Sequence, residues 1–223
     1  MGRISSLRYP KKSHRKLVTL PEPSIALAEF FGIMMGDGGI NNPWQANIAL
    51  NAVADKKYAE YVSRLCVGLF GFAPSSIKRK THQAIILRLS STTVVDFLVE
   101  HGLCRGNKLK QGLRIPTWIL ENERYRVACV RGLMDTDGCL YIHKHTVAGK
   151  PYKNIGLCFC SFSLELIEQV NAIFEEFGII PHISNQGRSI YLYKASAVAR
   201  YLEVFGTSNE RVSSVYEEFG GVG

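Results

Sequence analysis

The pattern of apolar and polar positions divides the chain into alternating helical and extended stretches. From Ser24 to Asp37 the residues are almost all apolar, and a helix is expected there, with Ser24 as its N-cap and Gly38 and Gly39 suited to a left-handed turn that stops it. A second helix is expected from near Asn122 to Gly138. Other segments alternate with a period of two. In QANIALN, Ile48 and Leu50 face one way and Gln45, Asn47 and Asn51 the other; in AIILRL, Ile85, Leu87 and Leu89 oppose Ile86 and Arg88. Leu140 and Ile142 alternate with Tyr141, His143 and His145, and Ile190 and Leu192 with Tyr191 and Tyr193. These are strands with one apolar and one polar face. Further helices are expected at about 56–70, 92–101, 164–177 and 195–205.

The same order occurs twice. Asn47-Ile48-Ala49-Leu50 is echoed by Asn154-Ile155-Gly156-Leu157, and Phe70-Gly71 by Phe177-Gly178, both 107 residues on. VVDFL (94–98) corresponds to VARYL (198–202) at a spacing of 104, so one hairpin loop is shorter in the second copy. Each copy runs helix, two strands, helix, two strands, shorter helix. Strands arriving in hairpins predict antiparallel sheets and an α+β fold. The organisation expected is a basic arm at 1–23, a first repeat at 24–102, a connector at 103–121 and a second repeat at 122–223.

Charge narrows the partner. The 27 Lys and Arg exceed the 19 Asp and Glu, giving +8, a balance that favours an extended polyanion. The arm contributes Arg3, Arg8, Lys11, Lys12, Arg15 and Lys16 and could follow a phosphate backbone. No apolar run is long enough for a membrane span and the first residues lack a signal-peptide segment, so an intracellular protein is expected. The six cysteines form no CxxC pair and are expected to be reduced and buried; Cys158 and Cys160 would point to one side of a strand, with no second pair to make a zinc site.

The two long helices end alike, in GIMMGDG and GLMDTDG. Gly32 and Gly36 on the first, Gly132 and Thr136 on the second, are small residues four apart, which lets two helices cross closely and brings Asp37 and Asp137 to adjacent ends. A lone Asp-Gly is ordinarily a turn. Two carboxylates at neighbouring helix C-termini repel each other and both dipoles, an arrangement that a divalent cation reverses, and hard oxygen ligands favour Mg²⁺.

FFGIMMGDG (30–38) and VRGLMDTDG (130–138) resemble the two signature motifs of a LAGLIDADG homing endonuclease of the monomeric two-repeat kind, and the resemblance extends over nearly all of 24–219. The first motif departs at Met35, in place of its first acid, and at Gly36, in place of Ala; the second keeps both Asp135 and Asp137. The resemblance implies two pseudo-twofold αββαββα halves whose antiparallel sheets form a DNA-binding saddle over the motif helices. It implies Asp37 and Asp137, with the carbonyls of Gly36 and Thr136, as ligands of Mg²⁺, for which Mn²⁺ or Ca²⁺ can substitute in binding. It further implies metal-dependent double-strand breaks with 3′ overhangs in a long DNA target, which spread a host intron. Lys108 and Arg211 match the basic residue the family often places by each site. Asp55 lies where the family has a polar site residue, with helix N-capping as its competing role.

The candidates for contacting DNA are the polar strand faces and hairpin tips: Gln45, Asn47, Asn51, Lys78, Arg79, Lys80, His82, Gln83 and Arg88 in the first half. In the second they are Tyr141, His143, Lys144, His145, Lys153, Asn154, Asn185, Gln186, Arg188, Tyr191, Tyr193 and Lys194. The rival readings are a maturase that binds intron RNA to assist splicing and a non-cleaving DNA-binding regulator. Paired final acids facing phosphate favour the nuclease. A free intein is disfavoured by the absence of a terminal His-Asn.

Overall fold

The computed structural model describes residues 17–79 and 83–220. The chain folds as α+β with two four-stranded antiparallel sheets. In the first half, α1 (Ile25–Gly36) leads into β1 (Gly38–Asn42) and β2 (Gln45–Asn51); α2 (Lys56–Phe70), β3 (Ser75–Arg79), β4 (Ala84–Ser90) and α3 (Thr92–Glu100) follow. A short α4 (Thr117–Leu120) precedes the second half: α5 (Glu123–Asp137), β5 (Gly138–Val147), β6 (Lys150–Cys160), α6 (Leu164–Glu176), β7 (His182–Ser184), β8 (Ser189–Leu192), α7 (Ala195–Val204) and α8 (Glu210–Phe219). The strand orders β1-β2-β4-β3 and β5-β6-β8-β7 are the same, so the internal repeat is a structural one.

The helix caps follow the sequence. Ser24, Ser91, Asn122 and Ser163 each accept a hydrogen bond from the backbone N–H three residues on, which satisfies one orphan donor of the first turn. Gly71 and Gly178 take left-handed backbones after α2 and α6. Gly38 does not turn left-handed as expected. The chain enters β1 directly, and a Cβ at Gly38 would stand 2.4 Å from Met34 Cα, as one at Gly138 would stand 2.4 Å from Met134 O. Glycine is required at these two positions for close approach to the preceding helical turn.

The centre of the molecule is α1 against α5. Residues Leu27 to Gly36 of α1 are buried on every side. The helices lie side by side in parallel: a Cβ at Gly32 would meet Cys129 O, one at Gly132 would meet Glu29 O, and one at Gly36 would meet Thr136 Oγ1. Each sheet buries one face against helices. Ile48, Leu50, Ile85, Leu87 and Leu89 do so in the first, and Leu140, Ile155, Leu157, Phe159, Ile190 and Leu192 in the second.

The connector is no loose tether. Leu113, Ile115, Pro116 and Ile119 are buried, Ser163 Oγ donates to Leu113 O at 2.5 Å, and Ile115 N donates to Gln169 Oε1 at 2.7 Å. The cysteines also depart from expectation. Cys66 and Cys129 are buried, but Cys104 and Cys158 are half-buried and Cys139 and Cys160 exposed. Cys158 and Cys160 do share a strand side, with Sγ atoms 3.4 Å apart. Helix α8 was not anticipated, although Val212, Val215, Tyr216 and Phe219 carry its apolar stripe.

Candidate functional site

Parallel packing of α1 and α5 puts both C-termini at one end of the interface. Asp37 is the C-cap of α1 and Asp137 the last residue of α5. A Cβ at Gly36 would lie 3.4 Å from Asp137 Cγ, so the two motif ends are in contact. The charges that bear on Asp37 are Asp137, Asp55, Lys108 and Arg211. Partial burial, then the Asp137 and Asp55 carboxylates, push the Asp37 pKa up to about 6 against the cations' opposing pull. The Asp137 carboxyl, which keeps an open side to solvent, is likewise raised by desolvation, with Lys108 pulling the other way.

The basic residues occupy matching places. Lys108 Nζ donates to Met35 O at 2.5 Å, to Gly38 O at 3.1 Å and to Gly36 O. Arg211 Nη2 donates to Asp135 O at 3.4 Å, and Asp135 is the second-motif counterpart of Met35. Each cation thus offsets the negative end of its own repeat's motif helix. Desolvation lowers the Lys108 pKa, and the Asp137 and Asp37 charges oppose that shift. Gly36 O, expected to face a cation, accepts from the Lys108 ammonium instead.

Asp55 is not the helix cap that its position suggests, since its side chain makes no capping bond to α2. Its Oδ2 accepts from Asn51 N at 3.2 Å, and its Oδ1 accepts from Asn209 Nδ2 at 3.0 Å and from Arg211 Nε at 3.1 Å. Behind it runs a buried polar network that the sequence reading missed. Glu29, 3% exposed, accepts from Arg131 Nη2 at 2.6 Å, Tyr61 Oη at 2.7 Å and Ser208 Oγ at 2.7 Å. Two signals were available: one acid inside an otherwise uncharged helix, and, on the helix that partners it, Arg131 set within the apolar stretch between Val127 and Met134.

The donor set fits a cation in part. Asp37 and Asp137 are two hard carboxylates held together against mutual repulsion, which a divalent ion relieves. Among the described residues no group of three or more His, Cys, Asp or Glu is arranged to hold a metal ion. The remaining positions around Mg²⁺ would therefore be water, carbonyl or substrate oxygens, as that ion tolerates.

The open sheet faces carry most of the other candidates. In the first sheet Gln45, Asn47 and Arg88 share the face away from the helices, and Arg88 Nε donates to Asn47 Oδ1 at 3.0 Å. A cleft of about 680 Å³ lies here, lined by Asp37, Asn42, Asn47, Arg88, Lys108 and Arg114 among others. In the second sheet the open face is aromatic. Tyr141 lies on Gly156, where a Cβ would stand 2.6 Å from its ring. His143 stacks on His145 at 5.1 Å, and Tyr191 on Tyr193 at 5.3 Å. Asn154, opposite His143, is exposed on the same face. Gln83, Asn185 and Gln186 occupy hairpin turns with left-handed backbones; Arg188 lies over the Phe162 ring at 5.7 Å, and Lys194 is exposed ahead of α7.

Four candidates are placed differently. Lys78 pairs with Ile85, and Lys144 with Lys153, in the registers that point to the helix side. Lys144 Nζ reaches Glu218 at 3.4 Å and Lys153 Nζ donates to Glu218 O at 2.9 Å, so these two hold the end of α8. The Asn51 amide oxygen accepts from Val53 N and Ala54 N at 2.9 and 3.0 Å and is a turn residue. Lys80, His82, the Arg79 side chain and the basic residues of the arm, Arg3 to Lys16, lie outside the described residues.

Comparisons with known proteins agree with this geometry. Residues 124–216 match the LAGLIDADG-like domain model and residues 28–110 the WhiA LAGLIDADG-like domain model. Among solved structures, mesophilic variants of the homing endonuclease I-DmoI align over 82% of this chain and 95% of theirs, at 16% identity and a TM-score of 0.53. The I-LtrWI LAGLIDADG homing endonuclease bound to target DNA aligns over 88% and 89%, at 10% identity and 0.58. Full-length DUF199/WhiA from Thermatoga maritima aligns over 92% of this chain and 64% of its own, at 15% identity and 0.56. These likenesses are of fold. No curated protein sequence matches the chain.

Proposed function

The chain belongs to the LAGLIDADG family, with both repeats in one polypeptide, and on that premise we propose that it is a monomeric, site-specific DNA endonuclease that makes metal-dependent double-strand breaks. The observation that carries the reading is the pairing of Asp37 and Asp137 at the ends of two parallel helices, with Lys108 from the loop after α3 and Arg211 from the first turn of α8 each bonded to a carbonyl at the end of its own repeat's motif helix. A protein that only binds phosphate gains nothing from carboxylates facing it. Structures of I-DmoI with DNA and Ca and of an I-DmoI variant with nicked target DNA and Mn support divalent-metal use on this fold.

Asp37 and Asp137 would hold Mg²⁺, with the Thr136 carbonyl as a further oxygen. The bound ion supplies Lewis-acid polarisation of the phosphate and a lowered pKa for attacking water. The chain's own residues do the rest. The ammonium of Lys108 and the guanidinium of Arg211 put positive charge beside the reacting phosphates. The open faces of the two sheets track the duplex through Gln45, Asn47 and Arg88 on one side and the Tyr and His rings on the other. One centre per strand gives a double-strand break with 3′ overhangs, and a break in an uninterrupted site spreads a host intron.

A second reading, a DNA-binding protein that does not cut, is favoured by the match of 28–110 to the WhiA domain and by Met35 in the first motif. The discriminating experiment joins the gene's flanking sequences without the insertion, places them in a plasmid and adds the protein with Mg²⁺. The expected result is linear DNA, lost in excess chelator and in Asp37→Asn or Asp137→Asn. Tight binding without cutting under every metal supports the second reading, and preference for the intron transcript supports a maturase.

A further inference from the structure

We infer that Asp135, the first acid of the second motif, is a positioning residue: it latches the loop after α7 so that Arg211 is held on Asp55 beside Asp37, which makes the two halves of the centre chemically unequal. The inference rests on the endonuclease reading for its consequence, though not for its geometry.

Asp135 is 1% exposed, yet it does not face the cleft. Its carboxylate accepts from Ser208 N at 2.7 Å and from Thr207 Oγ1, both in the loop that joins α7 to α8. Its own carbonyl accepts from Asn209 Nδ2 at 3.0 Å, and the same amide donates to Asp55 Oδ1 at 3.0 Å. Ser208 Oγ is held from the other side by Glu29 at 2.7 Å. With residues 207–209 clamped from both motif helices, α8 begins at Glu210 in a fixed direction and Arg211, on its first turn, reaches Asp55 at 3.1 Å. Asn209, 1% exposed, is the N-cap of that helix and accepts from Arg211 N at 3.0 Å.

The first repeat solves the same problem without an acid on its motif helix. Its corresponding loop is fixed to the sheet edge, where Arg105 bridges to Ile40 and Gly106 N donates to Ile40 O at 2.7 Å. Arg105 is also paired with Asp96 at 2.5 Å. A methionine at position 35, 1% exposed, then suffices, and Lys108 reaches the helix end by its own length. The second half also lacks an Asp55. The N-cap position of α6 is Ser163, whose hydroxyl caps Leu166 N and donates to Leu113 O. Lys108 therefore bears on both aspartates, whereas Asp55 and an arginine set by Asp135 bear on Asp37. The missing acid of the first motif and the retained acid of the second follow from two ways of anchoring one loop.

The test is single-turnover cleavage of a target duplex labelled separately on each strand, with Mg²⁺. Asp135→Ala is expected to slow one strand at least tenfold and leave the other within twofold, so that nicked circles accumulate from supercoiled plasmid. Arg211→Ala should slow the same strand. Asp135→Asn, whose amide oxygen can still accept from Ser208 N, should recover part of the loss. Thr207→Val removes one donor without touching the motif helix and should slow that strand too, which keeps the test open if Asp135→Ala does not fold. DNA affinity in chelator should stay within twofold for Asp135→Ala, Asp135→Asn and Thr207→Val. Equal slowing of both strands, or no rescue by Asp135→Asn, overturns the latch. Wild-type protein that cuts neither strand sinks the endonuclease reading instead. The latch is then judged by thermal unfolding: Thr207→Val and Arg211→Ala together should lower Tm by less than the sum of the single changes, and strict additivity overturns it.

Discussion

A methyl group added at Gly32 would stand 2.0 Å from the carbonyl oxygen of Cys129, and one added at its pseudo-twofold mate Gly132 would stand 2.3 Å from Glu29 O. The obstacle in each case is backbone of the opposite helix, which no rotamer change can clear. Gly32→Ala or Gly132→Ala must push α1 and α5 apart and loosen the core around both, and should cost about 3 kcal/mol or more, the upper end for overpacked cores. Gly39→Ala, with nothing within 4 Å of its Cβ, is the control, expected within about 0.5 kcal/mol of wild type. Urea denaturation of the three variants measures the contrast, and equal midpoints for Gly32→Ala and Gly39→Ala would falsify close helix contact.

Burial, and then the approach of the Asp137 and Asp55 carboxylates, carries an electrostatic cost at Asp37. Its folded pKa, about 6, lies above the ordinary aspartate value of 3.8, so between these pH values the native protein keeps a proton there that the unfolded chain has lost. Stability from this group is present below about pH 4, falls as pH rises through about 6 and is not regained above it. Without metal, Asp37→Asn should therefore stabilise the protein at pH 7.5, by no more than about 3 kcal/mol, and the gain should vanish near pH 4. Added Mg²⁺ or Ca²⁺ should raise the Tm of wild type but not of the variant. Melting curves at two pH values in chelator decide it; a variant less stable than wild type at pH 7.5 would contradict the repulsion.

Lys108 stands on three backbone carbonyls, those of Met35, Gly36 and Gly38. Lys108→Met keeps its apolar stem and removes its charge. If the ammonium also meets a phosphate, cleavage should fall about 10²-fold, the scale for losing one donor to a developing anion. DNA affinity should change little, because one charge among many is lost. Single-turnover rates and chelator-phase binding, measured on the same variant, separate these effects. A matching loss in both would make Lys108 a binding residue only.

The parts legible in the sequence were those governed by local physics. The N-caps Ser24 and Asn122, the helices at 56–70 and 164–177 and the alternation of QANIALN follow from spacing and propensity, and the structure has them within a residue. What stayed hidden was set by partners far along the chain. Asp55 looks like a cap in sequence, and only the approach of Asn209 and Arg211, more than 150 residues later, turns it into a site carboxylate. Lys144 and Lys153 look like DNA contacts on charge alone, but their register sends them to the helix side, where α8 ends. The pairing of Asp37 with Asp137 was legible for a different reason: repetition of one motif is itself long-range information.

Asn47 and Arg88 provide the clearest case for base reading. They are register partners on the open face of the first sheet, and Arg88 spends its Nε on Asn47 Oδ1 at 3.0 Å. That bond orients the guanidinium and leaves both Nη groups to donate outward, the fork that matches O6 and N7 of guanine. Arg88→Ala should weaken binding to the cognate target by about 1–3 kcal/mol and erase preference at one base pair in the half-site under the first sheet. Asn47→Ala leaves the charge but frees its direction, so non-specific affinity should hold while discrimination at that same pair falls. Competition binding against duplexes substituted at each position reads both outcomes. Loss spread evenly over all positions, with a salt dependence reduced by about one phosphate contact, would show Arg88 to be gripping the backbone instead.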